Sequence, residues 1–233
     1  MTRQIFLDTE TTGLDPRQGH RIIEVAGVEM VNRRPTGRHF HRYLNPQREI
    51  DAGAEAVHGL SSAFLQDKPY FADIVDELLV FLGDAELVIH NAPFDIGFLN
   101  HELGLLGRAP MADYCPMVLD TLKLAKDLHP GQKNNLNALC RRYEVDNASR
   151  TLHGALLDAE LLAAVYLGMT RGQDSLMIAM ETQPLQATLA GSAPAAPIRL
   201  IAASADELSA HELTLDAIQK ESQGGCLWLS TQA

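Results

Sequence analysis

Cysteine is scarce in this chain. Cys115, Cys140 and Cys226 are far apart and odd in number. That excludes a disulfide framework and a cysteine-based zinc spacing, and it points to a reducing compartment. Long apolar runs are missing too: no stretch approaches the roughly 20 residues of a membrane-spanning helix. The opening "MTRQIFLD" has too short an apolar run for a signal peptide, so the expectation is a soluble, cytoplasmic protein. No net positive charge is present; the formal net charge is -11. A protein that coats nucleic acid should be basic, so the composition argues against that class. Internal repeats are absent as well, which sets repeat architectures aside.

What is present is enough for one sizeable core with residues left over for a tail: 233 residues, 46% hydrophobic. Charge is uneven. Arg17, Arg21, Arg33, Arg34, Arg38, Arg42 and Arg48 make the early part locally basic, and Lys123, Lys126, Lys133, Arg141 and Arg142 form a second group. Residues 1–171 carry 17 basic and 23 acidic groups, net -6, and residues 172–233 carry 2 and 7, net -5.

The pattern along the chain predicts three strands first, in "QIFLD", "RIIEVAGVEM" and "GRHFHRYLNP", with Phe40, Arg42 and Leu44 on one side of the third. Short connections suggest an antiparallel meander. "DAGAEAVHGL" reads as a short helix ended by Gly59. "KPYFADIVDELLVFLG" spaces Phe71, Ile74, Val75, Leu78 and Leu82 helically, with Pro69 in the first turn and Gly83 at the end. A short buried strand, "ELVIH", then enters a helix carrying Phe94, Ile96, Phe98 and Leu99. "PMVLDTLKLAKDL" reads as strand then helix, and "NNLNALCRRY" as a helix capped by Asn134 or Asn135. The strongest helix is "LHGALLDAELLAAVYLGM", with Leu152, Ala155, Leu156, Ala159, Leu162, Ala163 and Tyr166 on its apolar face. Strands first, then strands alternating with helices, indicate an α/β fold with a mixed sheet between helices. After about residue 172 the Ala/Pro/Gln/Ser-rich "ETQPLQATLAGSAPAAP" reads as a linker. Ser204 and Glu207 form a capping-box pattern ahead of a helix striped by Leu208, Leu215 and Ile218. That helix is too short to stand alone. Either it docks elsewhere or it folds back on the main domain.

The acid-rich "DTETTG", residues 8–13, lies where the chain should be entering its core. A buried charge there needs an opposite charge or a metal. If the first strand runs on through Asp8 and Glu10, both side chains point the same way, about 6–7 Å apart. That spacing lets both close on one metal or a metal pair. Asp95 follows the end of a buried strand, and Asp158 lies in the last strong helix, off its Leu152–Ala155–Leu156–Ala159 stripe. With 30 acidic residues in the chain, each is equally compatible with an ordinary surface acid.

Taken together, "DTETTG", "NAPFD" and "HGALLD" resemble the three motifs of the proofreading exonucleases of the DEDDh class. Asp8 and Glu10 match the first motif, Asp95 ends the second, and His153 with Asp158 matches the third. The resemblance implies a ribonuclease-H-like core. It implies that Asp8, Glu10, Asp95 and Asp158 hold two Mg²⁺ ions, for which Mn²⁺ can substitute since both prefer hard oxygen ligands. Two divalent ions about 3.5–4 Å apart suit phosphodiester hydrolysis. His153 would be the general base, a histidine's ordinary pKa near about 6.5 fitting that role. The resemblance also places Thr11, Thr12, Leu14, His58 and Phe94 against the 3′-terminal nucleotide.

The run "LHPGQKNNLNALCRRY" resembles the matching segment of the epsilon-type proofreading subunits of bacterial DNA polymerase III. "QDSLMI" resembles a peptide that docks on the sliding clamp, which would use Gln173, Ser175, Leu176 and Ile178. The organisation implied is an exonuclease domain at 1–171, a linker at 172–197 containing the clamp peptide at 173–178, and a tail at 198–233 that binds the polymerase (alpha, catalytic) subunit. A further small accessory subunit is left open. Tethering raises the local concentration of the enzyme at a DNA 3′ end, so an acidic chain need not grip DNA by itself. The expected activity is 3′–5′ proofreading hydrolysis releasing 5′-mononucleotides. Two rivals are a DEDDh ribonuclease that trims RNA 3′ ends and a non-enzymatic scaffold of the same fold.

Overall fold

The structure, a computed structural model, describes residues 2–148, 150, 152–171, 203–222 and 228. The expected linker, the clamp-like peptide and the remaining parts of the tail lie outside the described residues.

Five strands form one sheet in the order β3-β2-β1-β4-β5. β1 (Arg3–Thr11), β2 (Ile22–Val31) and β3 (Arg34–Tyr43) make the expected antiparallel meander. β4 (Glu86–Ile89) runs parallel to β1, and β5 (Val118–Asp120) parallel to β4. β1 is buried on both faces, which is why "QIFL" reads as a continuous apolar run. Ile5 and Leu7 join one core cluster and Phe6 the other. On the Ile5/Leu7 side lie α3 (Phe71–Leu82) and α4 (Ala92–Leu105). On the Phe6 side lie α6 (Thr121–Leu128), α7 (Leu136–Arg142) and α8 (Ala155–Met169). The short helices α1 (Ala52–His58), α2 (Ser62–Leu65) and α5 (Met111–Tyr114) fill the connections. This is the mixed sheet between helices that the pattern indicated.

Two expectations are corrected. Pro69 precedes α3 instead of entering its first turn: Tyr70 is the N-cap residue, and its N–H donates to the Asp73 carboxylate at 2.8 Å. Leu152 is not part of the α8 face. The helix begins at Ala155 after an extended Gly154, and Leu152 is exposed in the preceding loop. The reason is tertiary. The His153 N–H is drawn to the Val57 carbonyl of α1 at 3.1 Å, which keeps Leu152 and His153 out of the helix, and the extended Gly154 precedes its start. Leu152 then lies over Gly59, where any Cβ would meet its Cδ1 at 2.6 Å and where φ is +73°. Behind that start α8 is buried nearly all round, and Asp158 is buried with it.

Elsewhere the caps follow the pattern. Asn135, not Asn134, caps α7 through the Ala138 N–H at 2.9 Å. A separate body holds α9 (Ala205–Glu221), whose Ser204–Glu207 capping box forms as expected. No residue of α9 is buried, and Leu208, Leu213, Ile218 and Trp228 are exposed.

One ion pair fixes α4, and with it Asp95, against the meander. Glu102 on α4 accepts from Arg21 Nε and Nη2, each at 2.7 Å, and from the Ile22 N–H at 3.2 Å. The carboxylate is almost fully buried and the guanidinium mostly so. Glu102→Ala removes a charge-assisted fork and an acceptor for a buried N–H. It should destabilise the fold by about 2 kcal/mol, read as a lower urea midpoint with an unchanged slope.

Candidate active site

β1 continues through Asp8 and Glu10 to Thr11, so the two carboxylates share the Phe6 face of the sheet. A break in register after Glu10, where Thr11 pairs with Ile22 and not with the next residue in step, bends the strand end. Such bulges re-aim side chains beside functional sites. Directly across from Glu10 stands Glu24 of β2, a buried fifth carboxylate. It is partnered by His41 Nε2 at 2.7 Å.

Asp95 arrives from the other face. β4 ends at Ile89, and Asn91 turns the chain into α4 with φ +71°, a conformation asparagine tolerates better than most residues. Its N–H donates to Asp120 Oδ1 at 3.1 Å. The turn brings Asp95 to the end of β1, where its Oδ1 accepts from Thr9 Oγ1 at 2.7 Å. Asp158 comes from the first turn of α8. The four carboxylates therefore meet at the carboxyl ends of parallel β1 and β4, where open α/β sheets commonly place ligands. Oxygens of Glu10 and Asp158 and a ring nitrogen of His153 lie within 4.8 Å of one another.

The electrostatics record this crowding. Loss of water raises Asp8 well above the usual carboxylate range, and repulsion from Asp95, Glu10, Asp158 and Glu24 adds to it. Glu10 is pushed up to about 8 by burial and by Asp158 and Glu24. Burial takes Asp95 to about 7 despite the bond from Thr9. Asp158 behaves oppositely. Burial raises it, but the Arg150 guanidinium outweighs that and holds it below its ordinary value. An all-oxygen set of mutually repelling carboxylates is what a hard divalent cation fits.

Two cavities flank the cluster. One, of about 300 Å³, is lined by Asp8, His90, Asn135, Asn137, Arg150, His153 and Asp158. The other, about 520 Å³, has Glu10, Thr11, Leu14, Asp51, His58 and Phe94 in its walls. His58 Nδ1 accepts from the Leu60 N–H at 3.0 Å, which puts the neutral ring's proton on Nε2. Burial pushes the imidazole pKa down against the pull of Glu24 and Glu55. That Nε2 is a buried nitrogen without a hydrogen-bond partner among the described residues. Thr12 is different: its side chain is fully buried and serves the loop, bonding His20 Nδ1 at 3.1 Å and accepting from the Arg21 N–H at 3.0 Å.

Arg150, His20, Asp51, Thr9, Asn137, His90 and Glu24 belong to the site or its walls, yet none was singled out in the sequence, although Thr9 lies inside the first motif. Arg150 had one signal, standing three residues before His153. The others come together only by folding. His20 is the bolt of the cleft wall, touching Thr12 and lying 3.5 Å from the Asp51 carboxylate.

The family model described as an exonuclease matches residues 5–166 of this chain. The fold and the acidic cluster thus define a nuclease, and the family is one that depends on divalent metal. The DNA polymerase III subunit epsilon of Salmonella typhimurium is 52% identical, covering 98% of both chains. That of Escherichia coli is 50% identical, again over 98% of both. Among solved structures, exonuclease X in complex with 5′-overhanging duplex DNA aligns with TM-score 0.56 at 27% identity, covering 75% of this chain and 93% of that one. The nuclease domain of 3′hExo, a DEDDh family member bound to rAMP, aligns with TM-score 0.62 at 17% identity over 72% and 92%. The chain belongs to the exonuclease family and, within it, to the family of DNA polymerase III epsilon subunits.

Two outcomes test the site. A Cβ at position 13 would overlap the His20 ring. Gly13→Ala should therefore cost about 1–3 kcal/mol and raise the KM for a nucleic-acid end more than it lowers kcat. The second concerns pH. Glu10 and Asp95 have folded pKa values of about 8 and about 7, against ordinary values of 4.5 and 3.8. Between those limits these two groups bind more protons in the folded chain than in the unfolded one. Their contribution is fully present at acid pH and is lost as pH rises through about 7–8. In EDTA the Tm should fall from about pH 5.5 to about pH 8.5, and excess Mg²⁺ should restore more at the higher pH. A Tm in EDTA that rises over this range would contradict the crowding.

Proposed function

We propose that this chain removes nucleotides one at a time from DNA 3′ ends, as the proofreading exonuclease beside a replicative polymerase. The observation that supports it is the meeting of Asp8, Glu10, Asp95, Asp158 and His153 between two cavities, one large enough for a terminal nucleotide. In this reading the four carboxylates hold two Mg²⁺, or Mn²⁺, which when bound supply Lewis acidity and a more acidic attacking water.

The chain's own groups do the rest. Phe94 and Leu14 offer apolar surface to the terminal nucleotide, and contact of that kind accepts any base. His58 presents an N–H to an acceptor on it, and Thr11 and Glu10 line the same wall. His153, exposed beside Glu10 and Asp158, takes the proton of the attacking water as general base. Selection against mispairs then follows from fraying, because an unpaired base is cheaper to draw into a cleft.

The domain reading goes with this function: exonuclease at 1–171, linker at 172–197 and tail at 198–233. The tail would bind the polymerase alpha subunit, and Gln173, Ser175, Leu176 and Ile178 the sliding clamp. A cytoplasmic location suits these partners, and among the described residues no helix is long and apolar enough to cross a membrane.

The test uses the purified chain with 5′-labelled single-stranded DNA, with and without Mg²⁺, beside RNA of the same sequence. A metal-dependent ladder from the 3′ end, faster on DNA, is expected. Asp8→Ala and Asp158→Ala should each lower the rate about a thousandfold or more. Faster turnover of RNA would transfer the assignment to RNA trimming, and activity surviving either substitution would remove the site from its role.

A further inference from the structure

Arg150 lies in the loop between α7 and α8, yet its side chain is 4% exposed. Each of its three nitrogens is engaged. Nε donates to Asp158 Oδ1 and Nη2 to Asp158 Oδ2, both at 2.5 Å. Nη1 donates to Asn137 Oδ1 at 2.7 Å. Nη2 also reaches His153 Nδ1 at 2.9 Å. A guanidinium is always charged and has no acceptor. His153 Nδ1 must therefore be the acceptor in this contact, which puts the neutral ring's proton on Nε2. In this arrangement neither ring nitrogen has a lone pair free to take a proton from water. Asp158, for its part, has both oxygens committed to a cation.

We propose that Arg150 is a gate on the nuclease: a tethered cation that competes with divalent metal for Asp158 and holds His153 in its non-basic arrangement. The inference rests on the reading of Asp158 as a metal ligand and His153 as the base. A dication at Asp158 and a guanidinium on both oxygens of the same buried carboxylate repel one another, and low local dielectric strengthens that repulsion. Metal loading and release of the fork are then linked, and release returns the Nδ1 lone pair of His153. Arg150 is thus a positioning residue, acting through Asp158 and His153. Asn137 is its anchor on the side away from the carboxylates.

The linkage is reciprocal, so it can be read without turnover. Mn²⁺ binding to the full-length chain is measured by calorimetry without DNA, for wild type, Arg150→Gln, Arg150→Lys and Asn137→Ala. Arg150→Gln, which removes the charge, should bind Mn²⁺ tighter by about fivefold or more. Asn137→Ala is an exposed change that leaves every carboxylate in place, and it should shift affinity in the same direction by less. Arg150→Lys keeps the charge and should stay near wild type. Nitrogen-15 NMR of His153 supplies the second readout: an Nδ1 resonance shifted by its hydrogen bond in EDTA for wild type, which moves toward that of an unbonded imidazole nitrogen in Arg150→Gln and in wild type on adding Mg²⁺.

Weaker Mn²⁺ binding by both Arg150→Gln and Asn137→Ala would overturn the gate, since Arg150 would then be orienting Asp158 for metal. Unchanged affinity with an unchanged His153 Nδ1 resonance would overturn it as well. Asp158→Asn separates the metal site from the gate. If it does not weaken Mn²⁺ binding, the metal-site reading fails and the gate fails with it. If it does, the site stands and the Arg150 variants alone decide.

Discussion

Repulsion among carboxylates is the constraint around which this molecule is arranged. Asp8, Glu10, Asp95 and Asp158 are gathered where two parallel strands end, and Glu24 stands beside them. Bringing such groups together costs free energy that the fold must offset elsewhere. The offsets are visible as separate devices. Thr9 donates to Asp95, His41 to Glu24, and Arg150 to Asp158. Where burial and like charge outweigh any such help, the acid's pKa rises, as at Glu10. A site of this kind is stable only with protons or cations in it, so metal binding and stability are expected to be strongly linked.

The scaffold's role is to hold the acids in place against that repulsion. β1 is buried on both faces and cannot retreat. α4 is tied to β2 through Glu102 and Arg21, and α8 sits deep in the second core cluster. The loops make the walls. Gly13 yields room for His20, which touches both the loop after β1 and the start of α1. The loop before α8 is fastened to α1 by the His153 N–H and by Leu152 over Gly59. The cavity beside Glu10 and the acidic cluster are thus joined, since the loop that carries His153 is fastened to α1. A cleft built this way can position a substrate phosphate with little freedom, which is what in-line hydrolysis demands.

Much of this was legible in the residues. The apolar run of "RIIEVAGVEM", the helical spacing of Phe71, Ile74, Val75, Leu78 and Leu82, and the capping box at Ser204 each reflect one local periodicity or one local hydrogen bond, and each element formed accordingly. Asp8 and Glu10 fall on one face because strand geometry has period 2. Local spacing misleads where a distant contact decides. Leu152 continues the helical spacing of α8, but the hydrogen bond from the next residue to α1 holds it outside the helix. Pro69 suits a first turn, but the Asp73 carboxylate caps the Tyr70 N–H and starts the helix later.

Local information sufficed for the elements and the sheet's mixed character, because each depends on neighbours a few residues away, whereas the acids stood out only through the resemblance of three separated motifs taken together. What those acids feel was settled by the fold. Glu10 and Asp158 are both motif carboxylates, yet one is pushed up to about 8 and the other held down. Much of the difference is one guanidinium, eight residues from Asp158 along the chain and set against it by packing. Charge interactions act through space, and their sign and strength follow distance and burial, which no linear pattern records.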